Sequence, residues 1–333
     1  MEHHALGKTR RLVSVIGLGT WQLGSDWGDV SEDDALAVLA ASADAGVTFF
    51  DTADVYGDGR SEQIIGKFFA ENPHYRSRIT VGTKMGRRVA QEPENYNLAN
   101  FKAWTDRSRA NLGVDKLDLI QLHCPPTAVY HDDAVFDALD TLVSDGVVAN
   151  YGVSVETCEQ ALAAIERPGV STVQIILNPF RLKPLEQVLP AAAANSVGII
   201  VRVPLASGLL TGKYKPNTKF ADNDHRNYNR NGEAFDQGET FSGVDYKQGL
   251  VAAREYSRLV KSEFGSSLTP AQAALAWIWQ QPGVSTVIPG ARNVEQAAAN
   301  AAAGSAPTLG AAFGREVRGI YDANFRSAIH DKW

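Results

Sequence analysis

Short apolar runs alternate with amphipathic segments along almost the whole chain, and this alternation predicts the fold. Eight runs, rich in β-branched residues, have the length of buried strands. They are Val15–Thr20, Val47–Asp51, Ile79–Lys84, Leu117–His123, Asn150–Ser154, Thr172–Asn178, Gly198–Pro204 and Ser285–Pro289. Segments with helical periodicity separate them, among them Ser31–Ala45, Ser61–Glu71, Leu98–Leu112 and Asp132–Asp145. Because consecutive parallel strands need helical crossovers, eight such units predict an α/β fold of the closed (β/α)8, or TIM-barrel, type.

Local signals mark helix ends and indicate three additions to the barrel. Ser31, with Asp34 three residues later, is typical of a helix start, and Gly46 and Gly146 stand where helices usually end. We expect one barrel domain over residues 1–333. Its additions are a hairpin within 7–13 at the barrel bottom, a polar loop at 214–246 after the seventh strand, and a C-terminal helix at 309–325 beside the barrel mouth. The long loop is either a lid or substrate-selecting loop, or a disordered segment.

Composition and charge narrow the classes of function. A chain of 333 residues suits one barrel with insertions, and 44% hydrophobic residues suffice for a large core. The net charge of −6 does not indicate a nucleic-acid or anionic-membrane surface. No apolar run approaches the roughly 18 residues of a membrane span, and the first residues lack a signal-peptide pattern. Cys124 and Cys158 have no metal-type spacing, so we predict no metal site and a reducing, cytoplasmic location.

Four ionisable residues lie at or just after the ends of three successive predicted strands. Asp51 and Tyr56 follow the second run, Lys84 ends the third and His123 ends the fourth. A parallel barrel gathers these strand ends at one mouth. Because a nearby ammonium favours a phenolate, we predict that Lys84 lowers the pKa of Tyr56 from its usual value of about 10. Asp51 would then hold Lys84, and His123 would orient a carbonyl for a proton transfer that contributes roughly 10² to 10⁴ in rate.

Each of the four residues also has a purely structural interpretation. Asp51 could cap the following turn, Tyr56 could pack within a loop, and Lys84 could be a solvated strand end. His123, which precedes Cys-Pro-Pro, could be a structural histidine. Their joint position at the ends of successive strands favours catalysis over these alternatives.

Short motifs follow one another in a fixed order along the chain. They are IGLGTW from Ile16, FDTADVYG from Phe50, SE at Ser61 with IG at Ile65, TK at Thr83, QLH from Gln121, YGVS from Tyr151, PLASGLLTGK from Pro204 and IPGAR from Ile288. Between about residue 8 and about residue 303, this ordered set resembles the aldo-keto reductase superfamily, in its bacterial and plant branches with longer chains. The resemblance implies hydride transfer between a nicotinamide cofactor and a carbonyl or alcohol. It further implies that Tyr56 is the acid-base, tuned by Lys84 and Asp51, while His123 orients the substrate.

The sequence excludes two common nucleotide-binding motifs. No Gly-x-Gly-x-x-Gly follows a strand, so the Rossmann fingerprint is absent. The segment from Gly208 to Lys213 is one residue short of a P-loop and lacks the following Ser or Thr. As a small-residue loop it either wraps a pyrophosphate through backbone amides or is a tight β–α connection. The family resemblance implies cofactor contacts at Gly19, Thr20, Trp21, Asp51, Ser154, Gln174, Arg202, Pro204, Leu205, Ser207, Gly208, Leu210, Lys213, Gly290, Arg292, Gln296 and Asn300.

The resemblance favours NADP(H) over NAD(H). Arg292 would pair with a 2′-phosphate, because a guanidinium offers two parallel donors, although it could instead face solvent at a helix start. At two positions the residue differs from the one found in many members of the family. Arg202 stands where an aromatic ring often stacks on the nicotinamide, and a planar guanidinium can also stack. Val155 stands where an Asn often follows Ser154, which removes one possible amide contact.

The substrate is defined only by class. Trp21, Trp27, Val55 and the loop at 214–246 are the predicted walls of an apolar pocket for small aldehydes, α-dicarbonyls or sugar-derived carbonyls. The same residues would serve oxidation of a sugar-type hydroxyl. An alternative from another class is a cofactor-binding regulatory subunit of the potassium-channel β type. A metal-dependent barrel hydrolase or aldolase is disfavoured, because the strand ends lack a His/Asp/Glu ligand cluster.

Overall fold

The computed structural model describes residues 1–24 and 30–333, and it contains all eight predicted barrel strands. Two further short strands precede them. The strands are β1 (His3–Ala5), β2 (Leu12–Ser14), β3 (Leu18–Gly19), β4 (Phe49–Asp51), β5 (Thr80–Met85), β6 (Leu119–His123), β7 (Tyr151–Ser154), β8 (Val170–Ile176), β9 (Gly198–Arg202) and β10 (Val284–Val287). Strands β4 to β10 are buried along their whole length, as expected for a parallel sheet that helices cover on its outer face.

The eight strands β3 to β10 form one parallel sheet in sequence order. Each pairs with the next, so the register carries Gly19 opposite Asp51 and His123 opposite Ser154. Parallel bridges from Ile16 to Val287 and from Gly19 to Gly290 join the last strand to the first and close the barrel. The (β/α)8 prediction is therefore confirmed, and all carboxyl ends of the strands lie at one mouth.

Thirteen helices are present in the part of the chain that the structure describes, and the predicted helix ends agree with them. Ser31 caps the first helix through the amide of Asp34, and Gly46 and Gly146 follow helices with left-handed φ values of 89° and 77°. The helices are α1 (Glu32–Asp44), α2 (Arg60–Glu71), α3 (Pro73–Arg76), α4 (Leu98–Leu112), α5 (Asp133–Ser144), α6 (Cys158–Ile165), α7 (Val188–Ala194), α8 (His225–Tyr228), α9 (Tyr246–Phe264), α10 (Pro270–Trp279), α11 (Val294–Ala302), α12 (Gly310–Asn324) and α13 (Arg326–Ile329).

The N-terminal hairpin is present with boundaries that differ from the prediction. Its strands are β1 and β2, paired antiparallel, and residues 7–9 form a 3₁₀ turn between them. Leu6 and Val13 are fully buried in one apolar cluster with Phe49, Leu119 and Ile200 from inside the barrel. The hairpin thus plugs the barrel bottom, and Gly7 is required there because a Cβ would meet the carbonyl oxygen of Ser171 at 2.1 Å.

Residues 214–246, here called the insertion segment, have defined structure over the barrel mouth. They contain α8 and two 3₁₀ turns at Gln237–Glu239 and Phe241–Gly243, and several polar side chains in them are buried. Helix α12 lies within the predicted C-terminal helix and packs on α9. The chain then returns towards the mouth, where the Trp333 indole donates to the Asp236 carboxylate. Among the described residues, no helix is long and apolar enough to cross a membrane.

Candidate active site

Three of the four predicted catalytic residues form one hydrogen-bonded group, in which Asp51 and Lys84 are buried and Tyr56 is partly exposed. The Lys84 ammonium lies 2.5 Å from the Asp51 carboxylate and 3.2 Å from the Tyr56 hydroxyl, and it also donates to the carbonyl of Thr52. Lys84 is 1% exposed, which excludes the solvated strand end as its interpretation. His123 completes the group, here called the tetrad, with its ring edge-on to Tyr56 at 5.9 Å.

The acidity of Tyr56 differs from the prediction. Desolvation of the phenol raises the pKa of Tyr56 above its ordinary value, and this outweighs the lowering by the Lys84 charge. The negative charge of Asp51 opposes Lys84 further. The prediction that Lys84 lowers the pKa of Tyr56 is right about the sign of that one interaction and wrong about the net result. Burial alone would lower the pKa of Lys84, but the interactions with Asp51 and Tyr56 outweigh burial and raise it. The ammonium therefore stays charged.

His123 is held in its neutral form. Burial lowers its pKa well below the ordinary value, and the charges of Arg87, Lys84 and Arg202 act in the same direction. Within the described residues, its buried Nδ1 atom has no hydrogen-bond partner. A neutral imidazole offers one N–H donor and one acceptor, so this ring can donate a hydrogen bond without carrying charge.

A second group of buried charges lies beside the tetrad. Glu156 and Glu239 are 3.0 Å from Arg87, and Glu156 is 2.7 Å from Arg202. Arg202 also approaches Glu239 at 3.6 Å, and the Arg87 side chain donates to the carbonyl of His123. We call these four residues the arginine–glutamate cluster. Arg202, the expected stacking partner of a nicotinamide, is thus held between two carboxylates at the end of β9.

Cys124 borders this cluster. Its sulfur lies within 4.8 Å of carboxylate oxygens of Glu156 and Glu239, a ligand set that could hold a metal ion. Both carboxylates already pair with arginines, and burial raises the pKa of the Cys124 thiol to about 12. A neutral thiol beside two neutralised carboxylates is a poor metal site.

The loop after β9 contains the predicted phosphate-binding residues in an unusual conformation. Val203, Ala206 and Ser207 have positive φ values of 51°, 48° and 52°, followed by Gly208 at 97°. Successive left-handed residues make this a tight turn, in which the amides of Ala206 and Gly208 donate to the carbonyls of Val203 and Leu205. A side chain at Gly208 would meet the Tyr214 hydroxyl at 2.2 Å. Leu205 borders this loop beside the buried Pro204 and Leu210, and Lys213 is exposed at its end.

The residues predicted at the adenosine end lie just before α11 and along it. Gln296 accepts from the Arg292 amide, and Asn300 donates to the carbonyl of Gly290. Arg292 and Gln296 are exposed, whereas Gly290 lies so close to the Gln22 amide that a Cβ would meet it at 2.1 Å. These contacts give an open surface with a basic side chain beside a tightly packed glycine.

The residues predicted to contact the nicotinamide, Gln174 and Ser154, form hydrogen bonds with the tetrad and with Cys124. Gln174 donates to Asp51 at 2.7 Å, and Ser154 lies 3.3 Å from the Cys124 sulfur. Gly19 ends β3, and Thr20 donates through its backbone and its hydroxyl to the carbonyl of Asp51. Gln174 therefore orients the carboxylate that holds Lys84.

An aromatic wall joins the barrel to the insertion segment. The Trp21 ring stacks on Tyr56 at 6.1 Å and contacts His225 at 5.2 Å and Phe235 at 5.9 Å. Val55 is partly exposed beside Tyr56. The remaining predicted wall residue, Trp27, lies outside the described residues. The insertion segment thus contributes side chains next to the tetrad.

Sequence reasoning missed Arg87, Glu156, Glu239 and His225. Arg87 and Glu156 each follow a strand end by two residues, so the rule that identified the tetrad could have found them. Glu239 and His225 lie in the insertion segment, where no strand end marks a position. Only the folded contacts bring them to the mouth.

Comparisons with known proteins agree with this geometry. Residues 15–322 match the model of the aldo/keto reductase family. The aldo-keto reductase yakc of Schizosaccharomyces pombe, whose name specifies NADP(+), is 30% identical over 85% of this chain and 81% of its own. A probable voltage-gated potassium channel subunit beta of Oryza sativa is 30% identical over 90% of both chains.

The solved glycerol dehydrogenase AKR11B4 of Gluconobacter oxydans superposes with a TM-score of 0.79. It is 26% identical to this chain, and the superposition covers 97% of this chain and 96% of that one. A family match across almost the entire barrel and relatives at 30% identity agree with the tetrad found at the strand ends. The chain belongs to the aldo/keto reductase family.

Proposed function

We propose that the protein is an NADP(H)-dependent oxidoreductase that reduces aldehydes or ketones, or oxidises the corresponding alcohols, with Tyr56 as general acid and base. One observation carries this proposal: the buried Lys84 ammonium bridges the Asp51 carboxylate and the Tyr56 hydroxyl. A phenol beside a lysine that stays charged is suited to transfer a proton to a carbonyl oxygen.

Each residue of the tetrad has a distinct task in this scheme. Tyr56 delivers the proton to the substrate oxygen in reduction and accepts it in oxidation. Lys84 stabilises the phenolate that remains, and Asp51 fixes the lysine. His123, kept neutral by burial and by neighbouring cations, donates a hydrogen bond to the same oxygen and sets its position. The nicotinamide, when bound, supplies or accepts the hydride.

The residues at the mouth fit a phosphorylated dinucleotide. The left-handed turn from Ala206 to Gly208 follows the seventh strand of the barrel, where barrels commonly bind phosphate groups, and this position suits the pyrophosphate. Lys213 and Arg292 are exposed cations placed for phosphate groups, and Ser154, Gln174 and Arg202 would border the nicotinamide. The NADP(+) in the name of the fission-yeast relative supports NADP(H) over NAD(H).

The substrate we propose is a small carbonyl compound or the corresponding sugar-type alcohol. Trp21, Val55 and Phe235 form an apolar wall near Tyr56, and the insertion segment contributes part of it. We also propose that residues 1–333 act as one barrel domain in the cytoplasm, where the two free, buried cysteines would remain reduced.

A substrate panel tests the proposal. Purified protein is mixed with NADPH or NADH and a series of aldehydes, ketones and α-dicarbonyls, and with NADP⁺ or NAD⁺ and polyols. We expect cofactor oxidation or reduction with at least one pair, faster with the phosphorylated cofactor. Arg292→Ala should raise KM for NADPH more than KM for NADH. Equal effects on both cofactors would contradict the assignment of Arg292.

A second candidate function is a cofactor-binding regulatory subunit. The observation in its favour is the 30% identity to the probable potassium channel subunit of rice. The two functions separate in one titration. Tight binding of NADPH, measured by its fluorescence, without turnover of any carbonyl would favour the regulatory subunit, whereas turnover that Tyr56→Phe abolishes favours the enzyme.

A further inference from the structure

Asp54 is a buried carboxylate inside the loop that carries the tetrad. It lies between Asp51 and Tyr56 in sequence, and its backbone N–H donates to the carbonyl of Lys84 at 3.1 Å. The side chain is 0% exposed. Among residues 1–24 and 30–333, neither of its carboxylate oxygens has a hydrogen-bond partner. A buried polar group without partners is costly, so its presence next to a reactive lysine requires an explanation.

A second buried carboxylate, Glu62 of α2, acts electrostatically on Asp54. In contrast to Asp54, Glu62 is fully satisfied, because Thr83 donates to one oxygen at 2.6 Å and Asn111 donates to the other at 2.9 Å. Glu62 is also 0% exposed. Since like charges in a low dielectric repel, the charge of Glu62 disfavours ionisation of Asp54.

The remaining neighbours that act on Asp54 lie on β5, on α4 and in the loop between them. Lys84 acts on Asp54 from β5, and Arg107 acts on it from α4. Arg88 donates to the backbone carbonyl of Asp54, and Tyr96 is electrostatically coupled to the carboxyl group. Arg107 directs one terminal nitrogen to Asp58 instead, so its charge is shared. Desolvation and Glu62 outweigh these cations and raise the pKa of Asp54 to about 7.

We propose that Asp54 is a positioning residue whose protonation state sets how strongly Lys84 supports proton donation by Tyr56. This inference rests on the proposed function of the tetrad. When Asp54 is neutral, the Lys84 ammonium pairs with the Asp51 carboxylate and stabilises the Tyr56 phenolate strongly. When Asp54 is ionised, a second negative charge weakens this stabilisation and makes Tyr56 a poorer acid.

The direction of the pH effect follows from these charges. Carbonyl reduction needs Tyr56 to lose a proton, so its rate should fall as Asp54 ionises near neutral pH. Asp54→Asn keeps a neutral group of the same shape and should hold the rate at the level of the protonated form. We estimate the effect at an effective dielectric of about 20 and with partial proton transfer in the transition state. The reduction rate of Asp54→Asn, divided by that of wild type, should rise from about 1 at pH 6 to roughly three to ten at pH 8.5.

The experiment is a single-turnover stopped-flow measurement of NADPH oxidation by 4-nitrobenzaldehyde between pH 5.5 and 9. Wild type is compared with Asp54→Asn and with Asp115→Asn, an exposed aspartate between α4 and β6. The control should follow wild type at every pH. If wild type oxidises NADPH and the ratio stays constant across this range, the role of Asp54 is overturned while the proposed function stands. If wild type oxidises no NADPH with any carbonyl of the panel, both are overturned.

A stability measurement tests the buried acid without any turnover. A carboxyl group whose pKa is raised on folding contributes less stability as pH increases from its unfolded pKa of about 4 to its folded pKa. The urea concentration at the unfolding midpoint should therefore increase for Asp54→Asn relative to wild type between pH 5 and 7. Above pH 7 the difference between the two midpoints should stay constant. A constant difference would mean that Asp54 is ionised throughout and would overturn the proposal. If Asp54→Asn does not fold, Glu62→Gln must move the inflection of the wild-type rate to lower pH, and an unmoved inflection overturns the proposal.

Discussion

The tetrad and the arginine–glutamate cluster are both networks of buried charges at one mouth of the barrel, but they are assembled in different ways. Every tetrad residue lies at a strand end or in the loop directly after it, so the barrel itself fixes their spacing. The cluster also uses strand ends, at Glu156 and Arg202, but it is completed by Glu239 from the insertion segment. The scaffold therefore fixes the tetrad, whereas the cluster is complete only when the insertion segment lies over the mouth.

Breaking the tetrad should have the largest effect. Lys84→Met removes the ammonium and leaves Asp51, which is 2% exposed, with an amide donor from Gln174 in place of a counter-ion. We expect roughly a 10²- to 10⁴-fold loss in the rate of carbonyl reduction, because the phenolate of Tyr56 loses its stabilising charge. We also expect about 3–5 kcal/mol less stability in urea unfolding, since a buried charge loses its partner.

The matched control is Lys67→Met. Lys67 forms an ion pair with Glu32, but its side chain is 45% exposed, so the same substitution should change stability by less than about 1 kcal/mol. A loss of stability at Lys67 as large as that at Lys84 would mean that burial does not distinguish the two ion pairs.

A substitution in the arginine–glutamate cluster should have an intermediate effect, on stability and on the binding of NADPH. Glu239→Gln removes the charge that ties Arg87 and Arg202 to the insertion segment, while Glu156 still pairs with both arginines. We expect a loss of roughly 1–3 kcal/mol in stability and faster cleavage of the segment by proteases. NADPH should dissociate faster in a fluorescence chase. Glu233→Gln, an exposed position of the same segment, should resemble wild type.

The C-terminal tryptophan offers a smaller change to the same segment. Trp333 donates to Asp236, packs on the Arg181 guanidinium and contacts Gly243, where a Cβ would meet the indole at 2.3 Å. Trp333→Phe keeps an aromatic ring and removes the donor. We expect a loss of about 0.5–1.5 kcal/mol, with protease cleavage confined to the insertion segment. Cleavage spread over the barrel would contradict this local role.

The smallest effect is the acid dependence of stability that Glu156 contributes. Burial acts to raise the pKa of Glu156, but Arg202 and Arg87 hold it below its ordinary value. A carboxylate with a lowered folded pKa contributes stability that is complete above its unfolded pKa, about 4.3, and is lost as pH falls through the folded value. Urea unfolding between pH 3 and 6 should therefore be less pH-dependent in Glu156→Gln than in wild type, and Glu92→Gln serves as an exposed control.

Much of the barrel and the tetrad was predictable because the signals are local. The eight apolar runs have the length and composition of buried strands, and residues such as Lys84 and His123 end two of them. Strand order and the common position of the ends follow from parallel topology alone. The sequence therefore predicted the fold, the helix caps and the assembly of the four side chains.

The net acidity of Tyr56 and the cluster were not predictable from the same signals. Whether Lys84 lowers the pKa of Tyr56 depends on how much water surrounds the phenol, which is a property of the folded mouth. Glu239 lies 37 residues after Arg202 in the sequence, and no local pattern in the polar loop indicates which of its carboxylates contacts Arg202. Asp54 was visible within the motif, but only its burial without partners sets it apart from the exposed Asp58.

The central claim, that Tyr56 transfers the proton in a hydride-transfer reaction, is tested most directly by one stopped-flow comparison. NADPH-loaded wild type and Tyr56→Phe are mixed with a reactive aldehyde, after fluorescence titration has established that both bind NADPH equally. We predict rapid cofactor oxidation by wild type and a rate at least 10²-fold lower for Tyr56→Phe, because the proton donor alone is removed. Equal rates for the two proteins would contradict the account.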